Sequence, residues 1–318
     1  MVNITLLQLK YAIEIGKTGS FSAAAKNLYV NQPNISKSIK ELEGTLGYPL
    51  FTRTPKGVIP TEEGKRFLSE AYDIVSKMES LDKLGQKEPE DQIILKISIP
   101  RATYITYAFT EFYKDIQDRD EISINFSETN TMEAVDNILY HNFDLGIIRY
   151  PAAFDKEFNQ ALRKKELSGR EIWEFRYLLL TSEKSPLASK KEVYLSDLDD
   201  YTELVHGDIY VPFVSQEDYD KVNPSGSKKK RIYLYERGSQ FDFLKNIDRT
   251  YMWVSPLPKE VLSENKLVQV VCRESTTLFK DVLIWRSNSR LSDIAKQFMM
   301  ILEKVKEKMM ETVRQPAE

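Results

Sequence analysis

Residues 20–61 read SFSAAAKNLYVNQPNISKSIKELEGTLGYPLFTRTPKGVIPT, and this stretch decides the fold of the first part of the chain. Its beginning predicts a short Ala-rich helix over Phe21–Leu28, with Ser20 as the N-cap. A second helix follows the N-cap Asn31, because Pro33 is tolerated in the first turn of a helix. Two short helices joined by a tight turn predict a helix-turn-helix unit, whose second helix enters the major groove of DNA.

The second of these helices has two distinct faces at 3.6 residues per turn. Its apolar stripe, which must face a core, consists of Ile35, Ile39, Leu42 and Leu46. Its outer face is small, polar and basic, so it can approach base edges and phosphates. We predict DNA contacts at Gln32, Pro33, Ser36, Lys37 and Lys40. The alternative is an ordinary solvated face of a three-helix domain.

A short hairpin follows the second helix. Phe51 to Pro60 has strand-turn-strand character, with Pro55-Lys56-Gly57 as the turn. This hairpin is typical of a wing that places Arg53 and Lys56 near the phosphate backbone. Thr61 is then the predicted N-cap of a further helix.

That helix is predicted from about Glu62 to about Leu84 and carries a heptad pattern of apolar residues. A helix this long cannot bury its seam against a small head alone, so we expect it to pair with the same helix of a second copy. Packing against its own chain is the alternative. The predicted seam consists of Phe67, Ala71, Ile74, Met78 and Leu81. The polar segment 85–91, with Gly85 and Pro89, is the clearest domain boundary.

Charge is distributed unevenly along the 318 residues, whose formal net charge is −3. Residues 1–66 contain nine Lys and Arg against five Glu, a net charge of +4, and the remaining residues carry −7. A basic head on an acidic body is typical of local phosphate binding, although chance segregation would give the same pattern.

Composition excludes several other classes of protein. A single cysteine, Cys272, cannot form an internal disulfide or a Cys-based metal cage, and two histidines leave little for a zinc site. We therefore expect no metal and no cofactor. The first residues lack a signal-peptide pattern, and no window approaches 18 uninterrupted apolar residues. We expect a cytoplasmic protein that does not contact a membrane.

The rest of the chain alternates predicted strands and helices. The first five elements are a strand over Ile93–Ile99, a helix over Tyr104–Ile116, a strand over Ile122–Phe126, a helix over Thr131–Tyr140 and a strand over Leu145–Ile148. This order predicts a parallel sheet with helices on both faces. Residues 171–181 are predicted as one further strand, and Ser292–Met310 as a terminal amphipathic helix.

The first 66 residues resemble the winged helix-turn-helix of LysR-type transcriptional regulators. The motifs that carry the resemblance are Ser20-Phe21-x-x-Ala24-Ala25-x-x-Leu28, Gln32-Pro33-x-x-Ser36, Ile39-x-x-Leu42-Glu43, Leu46-Gly47, Leu50-Phe51-x-Arg53 and Thr61-x-x-Gly64. Weaker matches continue in Phe143-Asp144-Leu145-Gly146-Ile147-Ile148 and Pro186-Leu187-Ala188. The resemblance assigns DNA contacts to Gln32, Pro33, Ser36 and Arg53, whereas Lys37 and Lys40 rest on helix geometry alone.

The resemblance also implies an architecture. A winged helix-turn-helix domain (1–61) and a linker helix with its hinge (62–90) precede an α/β effector domain (91–318). That domain would contain two Rossmann-like subdomains, as in periplasmic binding proteins, over about 91–165 with 269–318 and about 166–268. The cleft between them would take a small effector. The implied partners are double-stranded DNA, a second copy in a homodimer, a homotetramer built from dimers, and RNA polymerase.

Candidate effector contacts follow from topology, because ligands sit at the carboxyl ends of strands and at helix N-termini. Two arginines and helix-start amides would favour an anionic ligand such as a carboxylate, although the same residues could be helix caps and surface charges. Where the family often has a Gly-rich stretch, this chain has the bulky Asp248–Trp253, so a partly filled cleft is an alternative. The candidates are Arg101, Ala102, Thr103, Thr129, Asn130, Thr131, Arg149, His206 and Ser239.

Three functions remain open at this point. The first is a regulator that binds an interrupted palindrome in a promoter and responds to an effector in its cleft. The second is a regulator with an occluded cleft and no small-molecule effector. The third is an enzyme or a solute-binding protein on the same α/β fold, but no catalytic residue is nominated, because a nucleophile motif and a Gly-rich phosphate loop are both absent from the sequence.

Overall fold

The computed structural model describes residues 4–55, 57–83, 92–208, 212–222 and 230–314. The predicted linker segment 85–91 and the predicted contact Lys56 lie outside these residues. The chain forms two compact units. One comprises Met1–Gln92 with Leu139–Asn142, and the other comprises Ile93–Ile138 with Phe143–Glu318.

The first unit contains a winged helix-turn-helix head. Its elements are α1 (Leu6–Thr18), α2 (Phe21–Asn27), α3 (Gln32–Leu46), β1 (Phe51–Thr54), β2 (Gly57–Pro60) and α4 (Glu62–Lys83). Ser20 caps α2, since its hydroxyl accepts a hydrogen bond from the Ala23 amide at 3.3 Å. Strands β1 and β2 pair antiparallel as the wing. The predicted element types in the head are therefore confirmed.

Polar and glycine residues join the wing to the helices. The Glu43 carboxylate accepts hydrogen bonds from the amides of Leu50 and Phe51, at 2.7 and 3.3 Å, and so fixes the entry into β1. A Cβ atom at Gly64 would lie 1.9 Å from the Leu50 carbonyl oxygen, so only glycine fits there. These contacts give a physical reason for the spacing of Glu43, Leu50, Phe51 and Gly64 in the sequence.

The second unit is built on two five-stranded sheets within the described residues. The first sheet has the order β4-β3-β5-β12-β6. Its strands are β3 (Gln92–Ile99), β4 (Glu121–Glu128), β5 (Leu145–Pro151), β6 (Leu167–Arg176) and β12 (Leu278–Arg286), and its helices are α5 (Thr103–Ile116), α6 (Thr131–Tyr140), α7 (Asp155–Lys164) and α11 (Asp293–Arg314). Apolar residues of α5 and α11, among them Phe112 and Phe298, pack together in its core.

The second sheet has the order β11-β7-β10-β8-β9. Its strands are β7 (Leu178–Ser182), β8 (Thr202–His206), β9 (Arg231–Leu234), β10 (Thr250–Val254) and β11 (Leu267–Val270), and its helices are α8 (Gln216–Val222), α9 (Gln240–Asn246) and α10 (Lys259–Glu264). Strands β8, β9 and β10 run parallel, so their carboxyl ends lie at one edge. Separate apolar clusters cover the two faces of this sheet.

Two expectations about this unit need correction. The first sheet is mixed, because β12 pairs antiparallel with both β5 and β6. Residues 171–181 form parts of two strands in different sheets, since β6 ends at Arg176 and β7 begins at Leu178. The chain therefore passes to the second sheet at Tyr177, and it returns to the first sheet between Val270 and Leu278.

Candidate nucleic-acid interface and effector cleft

The outer face of α3 presents the predicted DNA contacts to solvent. Gln32, Pro33, Lys37 and Lys40 are exposed and Ser36 is half-buried, whereas Ile35, Ile39 and Leu42 are buried in the head core. The Lys37 ammonium is 3.9 Å from the Glu41 carboxylate, and both side chains are well exposed. Such a surface pair is weak, so Lys37 is free to contact a phosphate.

The wing adds one described cation beside this face. Arg53 in β1 is exposed, and its guanidinium lies 6.0 Å from the centre of the Phe21 ring at the start of α2. A guanidinium held over an aromatic ring keeps its hydrogen-bond donors directed outward. The wing also contacts the turn after α1, because the Val58 amide donates to the Gly19 carbonyl at 2.8 Å.

Helix α4 divides the predicted dimer seam into two groups. Ala71 is buried in the head core, where Leu68 and Val75 also pack, and Phe67 lies partly buried against that core. Ile74 and Met78 point away from the head and are 48% and 42% exposed. Leu81 belongs to α4, but its side chain lies outside the description. The apolar surface left for a partner is therefore centred on Ile74 and Met78, and Ala71 serves the head instead.

A cavity of about 340 Å³ lies between the two sheets of the second unit. Seven of the nine predicted effector contacts line it, namely Arg101, Thr103, Thr129, Asn130, Thr131, Arg149 and His206. Two do not. Ala102 is fully buried as the N-cap of α5, and Ser239 caps α9 while the next residue, Gln240, lines the cavity. The bulky strand β10 thus leaves room for a small molecule.

Two arginines bridge the two sides of this cleft. Arg101 donates two hydrogen bonds to Asp208, at 2.7 and 2.6 Å. Arg237 pairs with Glu128 and also donates to the hydroxyls of Thr103 and Thr106. The Arg101 pair is bidentate, which is the stronger class of ion pair, and the single Arg237–Glu128 contact is supported by two hydroxyl groups, so these contacts join the two sides of the cleft.

Two more arginines are neutralised on their own side of the cleft. Arg149 donates to both oxygens of Asp281, at 2.7 and 2.6 Å, and Asp281 is fully buried. Burial alone would lower the pKa of Arg149, but the Asp281 carboxylate outweighs it and raises that pKa. Tyr104 donates its hydroxyl to the same carboxylate. In the second sheet, Arg231 donates to Glu203 at 2.9 Å.

Two buried polar atoms at the cleft have no hydrogen-bond partner among the described residues. They are the His206 Nδ1 and the Trp253 Nε1, at the carboxyl ends of β8 and β10. Burial, with a smaller contribution from Arg101, lowers the pKa of His206 to about 4, so its ring is neutral at pH 7. Most buried polar atoms in proteins are paired, so such an orphan is a contact point that a ligand could satisfy.

The sequence reasoning missed several residues of this cleft. Trp253 was not among the candidates, yet the rule that nominated His206 applies to it equally, because both residues lie at the carboxyl ends of parallel strands at one edge. Gln240, directly after Ser239, is buried and lines the cavity. Arg237 lies in a loop before α9, and no local signal in the sequence distinguishes it.

The head matches a known family. A sequence model described as "Bacterial regulatory helix-turn-helix protein, lysR family" matches residues 6–65, which cover α1 to the start of α4. A curated relative is the HTH-type transcriptional regulator YnfL of Escherichia coli strain K12, 29% identical over 156 residues. That match covers 48% of this chain and 52% of YnfL, so the chain spans about half the length of this relative.

Solved structures share the fold over nearly the whole chain. Full-length OxyR from Pseudomonas aeruginosa, a single-substitution variant, aligns with a TM-score of 0.62 at 15% identity, covering 95% of this chain and 98% of OxyR. ArgP from Mycobacterium tuberculosis aligns with a TM-score of 0.59 at 16% identity, covering 94% and 96% of the two chains. At these identities the alignments show the fold alone.

Two further findings bear on the class of protein. The curated relatives carry the names of transcriptional regulators and not of enzymes. Within the described ranges, no helix combines the length and the apolar composition needed to cross a membrane. The head, over residues 6–65, therefore matches the lysR family of bacterial regulatory helix-turn-helix proteins, and the two-sheet second unit shares the fold of the solved structures.

Proposed function

We propose that the chain is a cytoplasmic transcription regulator that binds a specific DNA sequence through α3 and the wing. The observation that carries this proposal is the exposed polar and basic face of α3, with Arg53 beside it, in a head that matches the lysR family. Gln32 would read a base edge, and Lys37, Lys40 and Arg53 would contact phosphates.

We further propose that two copies pair through α4 and read the two halves of an interrupted palindrome. One α3 offers few base contacts, and two heads held at a fixed distance add their binding free energies. The exposed Ile74 and Met78 support this arrangement, because water would otherwise surround two large apolar side chains on one helix face. Assembly into tetramers and contact with RNA polymerase belong to the same proposal.

Control by a small effector is the third part of the proposal. A ligand that binds one degree of cleft closure better than another would shift the population of that state, and with it the geometry of the paired heads. The cavity between the two sheets supports this part. The opposing candidate is a regulator without an effector, favoured by the ion pairs of Arg101 and Arg237, which close the cleft without a ligand.

The DNA-binding part is tested by selecting sequences from a random duplex library with the full-length protein. We expect enrichment of a two-fold symmetric site, and Gln32→Ala should lose about 1–3 kcal/mol of preference at one base pair per half-site. Arg53→Ala should weaken binding to all sequences and reduce the salt dependence. A matched control is Arg273→Ala, which removes an exposed cation from the second unit. Failure to enrich any site, or identical preferences of wild type and Gln32→Ala, would contradict the assigned roles.

A further inference from the structure

The cations of the cleft are already neutralised by the protein itself. The Lys and Arg side chains that line the cavity among the described residues are Arg101, Arg149, Arg231 and Arg237. Each one is paired with a carboxylate, respectively Asp208, Asp281, Glu203 and Glu128. An anionic ligand would have to break one of these pairs and leave a carboxylate unpaired at low exposure. The charge balance therefore disfavours the carboxylate ligand that the sequence suggested.

Among the described residues that line the cavity, the two side chains with an unpartnered buried nitrogen are uncharged, and a buried amide lies beside them. The Trp253 indole can only donate a hydrogen bond from Nε1. The His206 ring, neutral at pH 7, has an unpartnered Nδ1. The buried amide of Gln240 lines the same cavity and can both donate and accept. These three side chains recognise hydrogen-bonding groups without requiring a charge.

Aromatic and apolar side chains line the same cavity. Tyr177 and Phe279 line the cavity and stack with their ring centres 4.0 Å apart, and Tyr233 and Met252 line it as well. A few directed polar groups between aromatic surfaces are typical of sites for planar ligands.

We infer that the cleft binds an uncharged, planar small molecule, and that the side chains of Trp253 and His206, whose Nε1 and Nδ1 are shielded from solvent in this structure, turn these atoms towards the ligand to form hydrogen bonds. This inference rests on the proposed effector control. In this arrangement the pairs of Arg101 with Asp208 and Arg237 with Glu128 stay intact and close over the ligand, instead of being displaced by it.

The test separates the ligand classes before any ligand is known. A bacterial metabolite extract is passed over cation- and anion-exchange resins, and the flow-through and the eluted charged fractions are each added to the full-length protein in a thermal-shift assay. We expect the uncharged flow-through to raise the melting temperature of the wild type. The shift should be lost in Trp253→Phe and reduced in His206→Gln, but retained in Trp285→Phe, which changes a tryptophan outside the cavity lining.

Each other outcome has a definite meaning. A shift with a charged fraction alone, or a shift that persists in Trp253→Phe, overturns the inference while effector control survives. Absence of a shift with both fractions overturns effector control and the inference together, and DNA binding is unaffected by that result. Melting of the variants without additive shows whether they fold.

A separate observation concerns Tyr29, in the turn between α2 and α3. Its side chain is 95% exposed and its backbone is left-handed, with φ at +54°. Glycine or asparagine adopts this conformation at lower cost than tyrosine. Because a ring this exposed adds little to the packing of the head, the fold alone does not require tyrosine here. Residues held in such a conformation cluster at functional sites.

The position of Tyr29 in the head suggests a role in DNA binding. It precedes Gln32, the first residue of α3, by three positions, and the N-terminal end of the second helix is the part that enters the groove. Tyrosine hydroxyls are common donors to DNA phosphates. We propose that the Tyr29 hydroxyl donates a hydrogen bond to a phosphate beside the groove that α3 enters.

Because this contact is uncharged, it has its own signature. With a duplex of arbitrary sequence, Tyr29→Phe in the full-length protein should bind at least about 10-fold more weakly, the loss expected for one hydrogen bond to a charged group, with the salt dependence unchanged. Lys37→Ala should instead reduce the salt dependence. Tyr113→Phe, which removes an exposed hydroxyl from α5, is the matched control. Wild-type affinity in Tyr29→Phe overturns this assignment, whereas a wild type that does not bind the duplex overturns the DNA-binding proposal itself.

Discussion

Replacing Asp281 with Asn tests whether the buried ion pair between Arg149 and Asp281 in the first sheet is as isolated from water as the structure indicates. Asp281 is fully buried, and the Arg149 side chain is 11% exposed. The variant keeps the shape of the side chain but leaves the Arg149 guanidinium without its counter-charge. Removing one partner of a buried ion pair costs about 3–5 kcal/mol, because the remaining charge stays desolvated.

The assay uses the tryptophans of the chain. Trp173, Trp253 and Trp285 are its three tryptophans and all lie in the second unit, so intrinsic fluorescence reports unfolding of that unit. At about 2–4 °C per kcal/mol for a unit of this size, the melting temperature should fall by about 6–20 °C in Asp281→Asn. The control is Arg273→Ala, which breaks an exposed pair with Glu192 and should cost less than about 1 kcal/mol.

A second variant separates the charge from the packing. Replacing both partners, with Arg149→Met and Asp281→Leu together, removes both charges and should recover most of the stability lost in Asp281→Asn. If Asp281→Asn melts within a degree or two of the control, Arg149 finds water or another partner. The buried pair would then not be a fixed wall of the cleft.

Three further predictions follow from single contacts. Gly64→Ala should destabilise the head by more than about 3 kcal/mol and abolish DNA binding, because the added Cβ would lie 1.9 Å from the Leu50 carbonyl oxygen. The control is Gly44→Ala, whose added Cβ has no heavy atom within 4 Å, and circular dichroism measures the unfolding of both variants. The double variant Ile74→Glu, Met78→Glu should be a monomer in sedimentation velocity, while Leu7→Glu, at another exposed apolar residue, should remain a dimer. A dimer that persists in the double variant would contradict pairing through α4. The pKa of His206 is about 4 in the folded chain against 6.5 in the unfolded chain. The free energy of unfolding should therefore be highest above pH 6.5 and fall by on the order of 2 kcal/mol as the pH falls towards 4, after allowing for partial exposure. His206→Gln should flatten that part of the profile of stability against pH, and an unchanged profile would show that another group titrates there.

The head could be predicted because its determinants are local. Ser20 and Thr61 cap helices through hydrogen bonds that reach three residues along the chain. Ile35, Ile39 and Leu42 mark the buried face of α3 by their spacing alone. The deviations were small, such as the end of α2 at Asn27 in place of Leu28. Short-range rules of this kind need no knowledge of the partners across the core.

The sheets were less predictable because strand partners are remote in sequence. Residues 171–181 contain no Gly, Pro, Asn or Asp, so the change of sheet at Tyr177 leaves no turn signal in the sequence. The antiparallel β12 joins β5 and β6 from more than 100 positions away. Asp281 gave one signal that was not used, as a carboxylate inside an apolar strand requires a buried partner.

The cleft shows most clearly where sequence reasoning stops. Arg101 and Arg149 line the cavity, because strand ends and helix starts fix that edge of the sheet. Their carboxylate partners could not be foreseen, since Asp208 lies 107 residues from Arg101 and Asp281 lies 132 residues from Arg149. A carboxylate partner changes how a guanidinium interacts with an anion, and that partner is set by the tertiary fold. The proposal of an uncharged ligand rests on these pairs and on the unpaired nitrogens of Trp253 and His206, which only the tertiary fold brings together.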